Sequence, residues 1–168
     1  MAVRAPLKAE LPLLQAIGVA AGRRFAEVGL DAVAEDPPHD LSALERRRAA
    51  GRVWVTTDRD GHPVGFVVVD LVDGGAHIEE ISVIPELNRQ GHGMALMRHV
   101  ETWARGKGFP VVTLTTFTEV PWNRPWYERR GYRVLEEHEW TPGLAERRSE
   151  EAEAGLDPDQ RVIMAKAL

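Results

Sequence analysis

The chain has 168 residues, 43% hydrophobic and 28% charged, with 15 Gly, 11 Pro and a net charge of −5. A chain of this size buries enough surface to fold as one ordinary domain without metal or disulfide staples. It has no Cys, which excludes a thiol nucleophile, a thiolate zinc site and an iron–sulfur cluster, and its acidity argues against a general nucleic-acid binder.

The N-terminal MAVRAPLKAELPLLQ holds no long apolar run, so neither a signal peptide nor a membrane span is expected there, and the reading is a cytoplasmic protein. Leu14, Ile17, Ala21, Phe25 and Val28 recur at helical spacing, and Gly29 is the expected stop. After the prolines of DAVAEDPPHD, the Ser42 to Glu45 spacing predicts a capping box for a second helix ended by Gly51. Three β-branched runs follow, RVWVTTD, PVGFVVVDLV and HIEEISVI, separated by turns short enough for antiparallel hairpins.

Beyond Pro85 the period becomes helical, with Leu96, Met97, Val100, Trp103 and Ala104 on one side. The next strand, VVTLTTF, is separated by that helix from HIEEISVI, so the two should be parallel. A short helix from about Asn123 to Arg130 ends at Gly131, and strands YRVLEEHEW and RVIMAKAL close the chain. No repeat or linker divides it, so the expectation is a single α/β domain over 1–168 with an acidic insert at 141–160, either a lid or a flexible excursion. That insert carries a net charge of −4, leaving the other residues nearly neutral.

The strongest motif is ISVIPELNRQGHGMALM, an apolar strand running through a loop with Gly91 and Gly93 into a helix. A helix N-terminus offers unpaired N–H groups and a positive dipole end, and glycines let backbone approach a phosphate closely. The dinucleotide fingerprint fails because Leu96 stands where a third Gly belongs, and the Gly-Lys-Ser/Thr of a P-loop is missing. The loop Asn88-Arg89-Gln90-Gly91-His92-Gly93 resembles the acyl-CoA pyrophosphate loop of the GNAT superfamily of N-acyltransferases, with Asn88 where the family usually has Gln or Arg. The strand ending Ile81-Ser82-Val83-Ile84-Pro85 and the segment from Asn123 through Tyr127 to Gly131-Tyr132 are similar to further elements of that family.

The resemblance implies a mixed, mostly antiparallel central sheet with a splayed parallel strand pair and flanking helices. It implies acetyl-CoA as cosubstrate, its pantetheine arm along the backbone of Ile81, Ser82 and Val83 and its pyrophosphate at Asn88, Arg89, Gln90, Gly91, His92, Gly93 and Met94, with Asn123 also at the cofactor. It places the acid that protonates the leaving thiolate at Tyr127. Strand alternation puts Glu80 on a face with Ile78 and Ser82, and Glu79 with His77 and the core-like Ile81 and Val83, so Glu80 is the candidate base, with His77 and Glu79 as backups. Trp122 and Trp126 either wall an acceptor pocket or pack the core, and Arg46-Arg47-Arg48 reads as a solvated helix face.

The six His show no close metal-ligand spacing, so no metal is expected. The expected activity is transfer of an acetyl group to a primary amine, on a small molecule or a peptide, with no nucleic-acid or membrane partner. A non-catalytic acyl-CoA-binding sensor shares the same loop, and an exposed final strand would allow a homodimer.

Overall fold

A computed structural model describes residues 1–168. The strands are β1 (Val3–Arg4), β2 (Val53–Thr57), β3 (Pro63–Val72), β4 (Gly75–Val83), β5 (Val111–Phe117), β6 (Arg133–Val134) and β7 (Arg161–Ala167). The α-helices are α1 (Leu11–Gly22), α2 (Asp31–Ala34), α3 (Leu41–Ala49), α4 (His92–Gly106), α5 (Arg124–Glu128) and α6 (Pro142–Glu153). The seven strands form one sheet in the order β1-β2-β3-β4-β5-β7-β6, in which β4 and β5 are parallel. No helix is long and apolar enough to cross a membrane.

The residues group into two compact units, Met1–Val69 with Glu80–Thr102, and Asp70–Glu79 with Trp103–Leu168. In the first, Leu11, Leu14 and Ile17 of α1 and Leu44 of α3 bury against Val53, Val55, Phe66 and Val68. Helical period three to four thus meets strand period two on one apolar face. The α1 segment continues as a 3-10 helix, Arg23–Val28, which Gly29 ends at φ +77, as the sequence predicts, although Val28 is 41% exposed. The N-cap of α3 is Asp40, whose carboxylate accepts from the Ala43 N–H; Ser42 lies inside the helix, and Glu45 pairs with Arg48 rather than closing a capping box.

In the second unit the β3–β4 turn at Asp73-Gly74 has both residues at positive φ, the conformation of a tight hairpin. The β4–β5 ladder pairs Ala76, His77 and Ile78 with Val112, Thr113 and Leu114. Two expectations are corrected here. Of YRVLEEHEW only Arg133–Val134 is strand, and Glu137–Glu139 turns into a 3-10 helix where Glu139 bonds both the Glu136 N–H and Arg133. The 141–160 insert, read from the sequence as a lid or a flexible excursion with no helix of its own, is mostly the helix α6: Leu144 buries against Leu135, Ile163 and Ala165, and Arg148 donates to the carbonyls of Pro158 and Arg161. With Pro142 in its first turn and carboxylates along its exposed side, the segment forms a helix because one apolar residue and two arginines anchor it.

Candidate active site

In the first unit, Glu80 on β4 is half-buried and held on both oxygens: Ser82 Oγ donates to Oε1 at 2.7 Å, and His39 Nε2 pairs with Oε2. The Glu80–Ser82 bond fits the alternation that put those two residues on one face. Gly18 of α1 lies against this carboxylate; a Cβ there would stand 3.1 Å from Oε1. Gln15 Nε2 donates to the His39 carbonyl at 2.6 Å, tying the segment before α3 to α1 and so placing the imidazole. Ile81 and Val83, expected as core, are half-buried, as is Ser82.

The glycine loop follows directly. Pro85–Leu87 make a 3-10 turn, Asn88 is extended, Arg89 takes φ +64 and Gly91 φ +90. The Gly91 carbonyl accepts from the Ala95 N–H at 3.0 Å, so Gly91 stands at the N-cap of the 15-residue α4. Arg89, Gln90 and Gly91 are exposed, and Gly93 and Met94 are half-buried in the first turn. The His92 side chain turns inward: its Nδ1 meets Thr56 Oγ1 at 2.9 Å, and burial, followed by the N-terminal ammonium, lowers its pKa. The loop therefore presents backbone, with the exposed Arg89 and Gln90 side chains beside it.

In the second unit, Tyr127 on α5 is buried, its ring edge-on to Trp126 at 5.0 Å and 6.0 Å from Tyr132. The Asn123 Oδ1 accepts from Thr116 Oγ1 at 2.5 Å and from the Phe117 N–H at 3.3 Å, pinning the start of α5 to β5. Trp126 is half-buried with the Arg130 guanidinium 3.5 Å over its ring, and Trp122 is half-buried as well. His77, a backup base, is 3% exposed and bonds Thr113 Oγ1 at 2.8 Å; burial, then the nearby Arg147 charge, lower its pKa to about 4. Glu79, the other backup, pairs with Arg147 at 2.5 Å, and Arg147 also reaches Asp70 at 3.0 Å.

His39 and Arg147 are the residues that sequence reasoning did not single out. Neither sits in a motif; each acquires its place through a partner 41 or 68 positions away. A third grouping, Asp58, Asp60 and His62, brings possible ligand atoms within 4.8 Å on an exposed turn, where Asp58 Oδ1 accepts the N–H groups of Asp60 and His62.

Comparison with known proteins gives one family match: the model described as "Acetyltransferase (GNAT) family" covers residues 22–132. Among solved structures, a GNAT-family acetyltransferase from Staphylococcus aureus Mu50 superposes with a TM-score of 0.77 at 13% identity, covering 99% of this chain and 98% of that one. The PaiA N-acetyltransferase from Thermoplasma acidophilum, in complex with coenzyme A, gives 0.72 at 15% identity over 99% and 98%. The ribosomal-protein-S18-alanine N-acetyltransferase from Escherichia coli gives 0.68 at 17% identity over 99% and 92%.

Proposed function

The chain belongs to the GNAT acetyltransferase family, and from that premise we propose that it moves an acetyl group from acetyl-CoA to a primary amine by direct attack. The carrying observation is the Glu80 carboxylate, oriented by Ser82 and His39 on the strand that feeds the glycine loop. Attack needs a neutral amine. Glu80 takes the amine proton, directly or through a water, while His39 and Ser82 hold the carboxylate in one rotamer. A backbone N–H near Val83 meets the developing oxyanion. The C–N bond forms, the C–S bond breaks, and Tyr127 gives its proton to the departing thiolate; a phenol near pKa 10 does this for a thiol near 8.5 only when positioned.

The cosubstrate fits what the loop offers. Exposed backbone at Arg89 to Gly91, two residues at positive φ and the first turn of α4 suit a pyrophosphate. The backbone of Ile81 to Val83 takes the pantetheine arm, and Asn88, Gln90, His92, Gly93, Met94 and Asn123 complete the assignment, His92 through its main chain. The acceptor is a small-molecule or peptide amine, and the reading carries a cytoplasmic location with it.

The test is calorimetric titration with acetyl-CoA, then turnover over an amine panel. Micromolar binding that Gly91→Glu abolishes is expected, with turnover falling about 10²-fold or more in Glu80→Gln and strongly in Tyr127→Phe while acetyl-CoA still binds. Binding without turnover of any amine would leave an acyl-CoA sensor. No binding in the wild type would reject both.

A further inference from the structure

The second unit holds an open-mouthed pocket that the proposed chemistry does not use. Its volume is about 200 Å³, and it is lined by β4, β5, α6 and the residues that follow α6. Ile78, Ala154 and Leu156 give it apolar wall, and Glu79, Glu150, Glu151 and Arg147 give it charge. Arg147 is held by Asp70 and Glu79, and Glu151 by Arg161. Glu150 has no such ion pair, although its charge also acts on Arg147. Counting Asp70 and Arg161 behind the lining, four carboxylates face two guanidinia, a net of −2.

Two further observations separate this pocket from an ordinary acidic surface. His77 is 97% buried and lines the pocket, with Nδ1 on Thr113 Oγ1. Thr115 Oγ1, also of the lining, is buried and makes no hydrogen bond. A buried polar atom left unmatched costs about 1–3 kcal/mol, so Thr115 Oγ1 marks a place where a ligand or its water is expected. His77 stays uncharged at neutral pH because burial opposes the imidazolium, so it does not repel a cation.

We propose that this pocket binds a small organic cation, an aliphatic amine or guanidine, with its charged end at Glu150 and its carbon chain along Ile78, Ala154 and Leu156. The surplus of carboxylates excludes an anion. The apolar wall, and carboxylates already engaged by arginines, favour an alkyl cation over a bare metal ion. The same chemistry serves two sources, the acceptor of acetyl transfer or a separate effector. Binding at the pocket does not depend on the acetyltransferase reading; only the choice between sources does.

The test is titration of the full chain, without acetyl-CoA, with putrescine and agmatine as probes and with glutamate and magnesium chloride as controls. Saturable binding of at least one probe is expected. Glu150→Gln should weaken it about three- to fivefold, the range of one partly solvated charge pair. Ala154→Trp, which fills the pocket at an exposed position without changing charge, should weaken it more than tenfold. No saturable binding up to about 10 mM, binding indifferent to both variants, or displacement by magnesium that itself binds would each overturn the proposal. With binding established, the bound probe is offered with acetyl-CoA. An acetylated product makes it the acceptor, and a changed rate on another amine makes it an effector; both outcomes uphold the pocket. Acetyl-CoA binding, measured separately, shows whether the transferase reading has failed on its own.

Discussion

Acidification should destabilise this protein through His77 before most carboxylates titrate. The folded imidazole sits on Thr113 and is 3% exposed, with the Arg147 guanidinium close enough to oppose a second positive charge and Asp70 only partly offsetting it. In the unfolded chain the same ring takes up its proton near pH 6.5, whereas in the fold it waits until about 4. Between those values the unfolded state holds one more proton, so stability falls as pH falls. The loss amounts to about 2 kcal/mol between pH 7 and 5 and about 3 kcal/mol by pH 4, and this ring contributes only about 0.4 kcal/mol more below that. The assay is urea denaturation of the wild type and His77→Gln at pH 7, 6, 5 and 4.5. The rest of the chain is common to both proteins, so the difference between the two curves isolates the imidazole. The variant should be less stable at pH 7 and close that gap as pH falls. Parallel curves would refute the buried neutral imidazole.

The remaining predictions address local structure. Glu139 titrates at about 2, held down first by its hydrogen bonds to Arg133 and then by the Glu136 N–H; its contribution to stability is present above about pH 4.5 and lost as pH falls through about 2. In Arg133→Ala its carboxyl titration should move back towards 4.5, read by carbon NMR. Asp40→Ala should cost about 1 kcal/mol in chemical denaturation and Ser42→Ala much less; the reverse ranking would restore the capping box read from the sequence. Leu14→Ala, at a fully buried position between α1 and the sheet, should cost about 2–5 kcal/mol, and a cost under about 1 would mean that α1 does not close that core.

Much of the fold was readable because its signals are local. PVGFVVVDLV matches β3 and VVTLTTF matches β5 residue for residue, since β-branched runs bounded by turn residues have little else to become. The parallel β4–β5 pair followed from the intervening helix, whose Leu96, Met97, Val100 and Ala104 are buried as their spacing required. The glycine loop was legible for the same reason: positive φ at Gly91 and a helix opening behind it are short-range demands. Reading failed where charge and apolar content were balanced. TPGLAERRSEEAEAGLDPDQ has too few apolar residues to show a helical stripe, and only Leu144 and the two arginines reveal, in place, why it is a helix.

The site divides along the same line. The face that Glu80 shares with Ser82 was readable by strand parity, but what orients its carboxylate was not, because the imidazole comes from a segment that two prolines leave without periodicity and that is placed only when Gln15 of α1 bonds its carbonyl. Arg147 likewise matters only once α6 has docked, when it meets Asp70 and Glu79 from 77 and 68 residues away. These partners decide which carboxylate of the Glu79-Glu80 pair is available. Glu79 is occupied by a guanidinium that remains charged at any working pH, whereas Glu80 faces a hydroxyl and an imidazole, groups that can orient a carboxylate and still let it accept a proton. The two adjacent acids are alike in sequence, and it is their long-range neighbours that tie one to a guanidinium and leave the other for the base role proposed above.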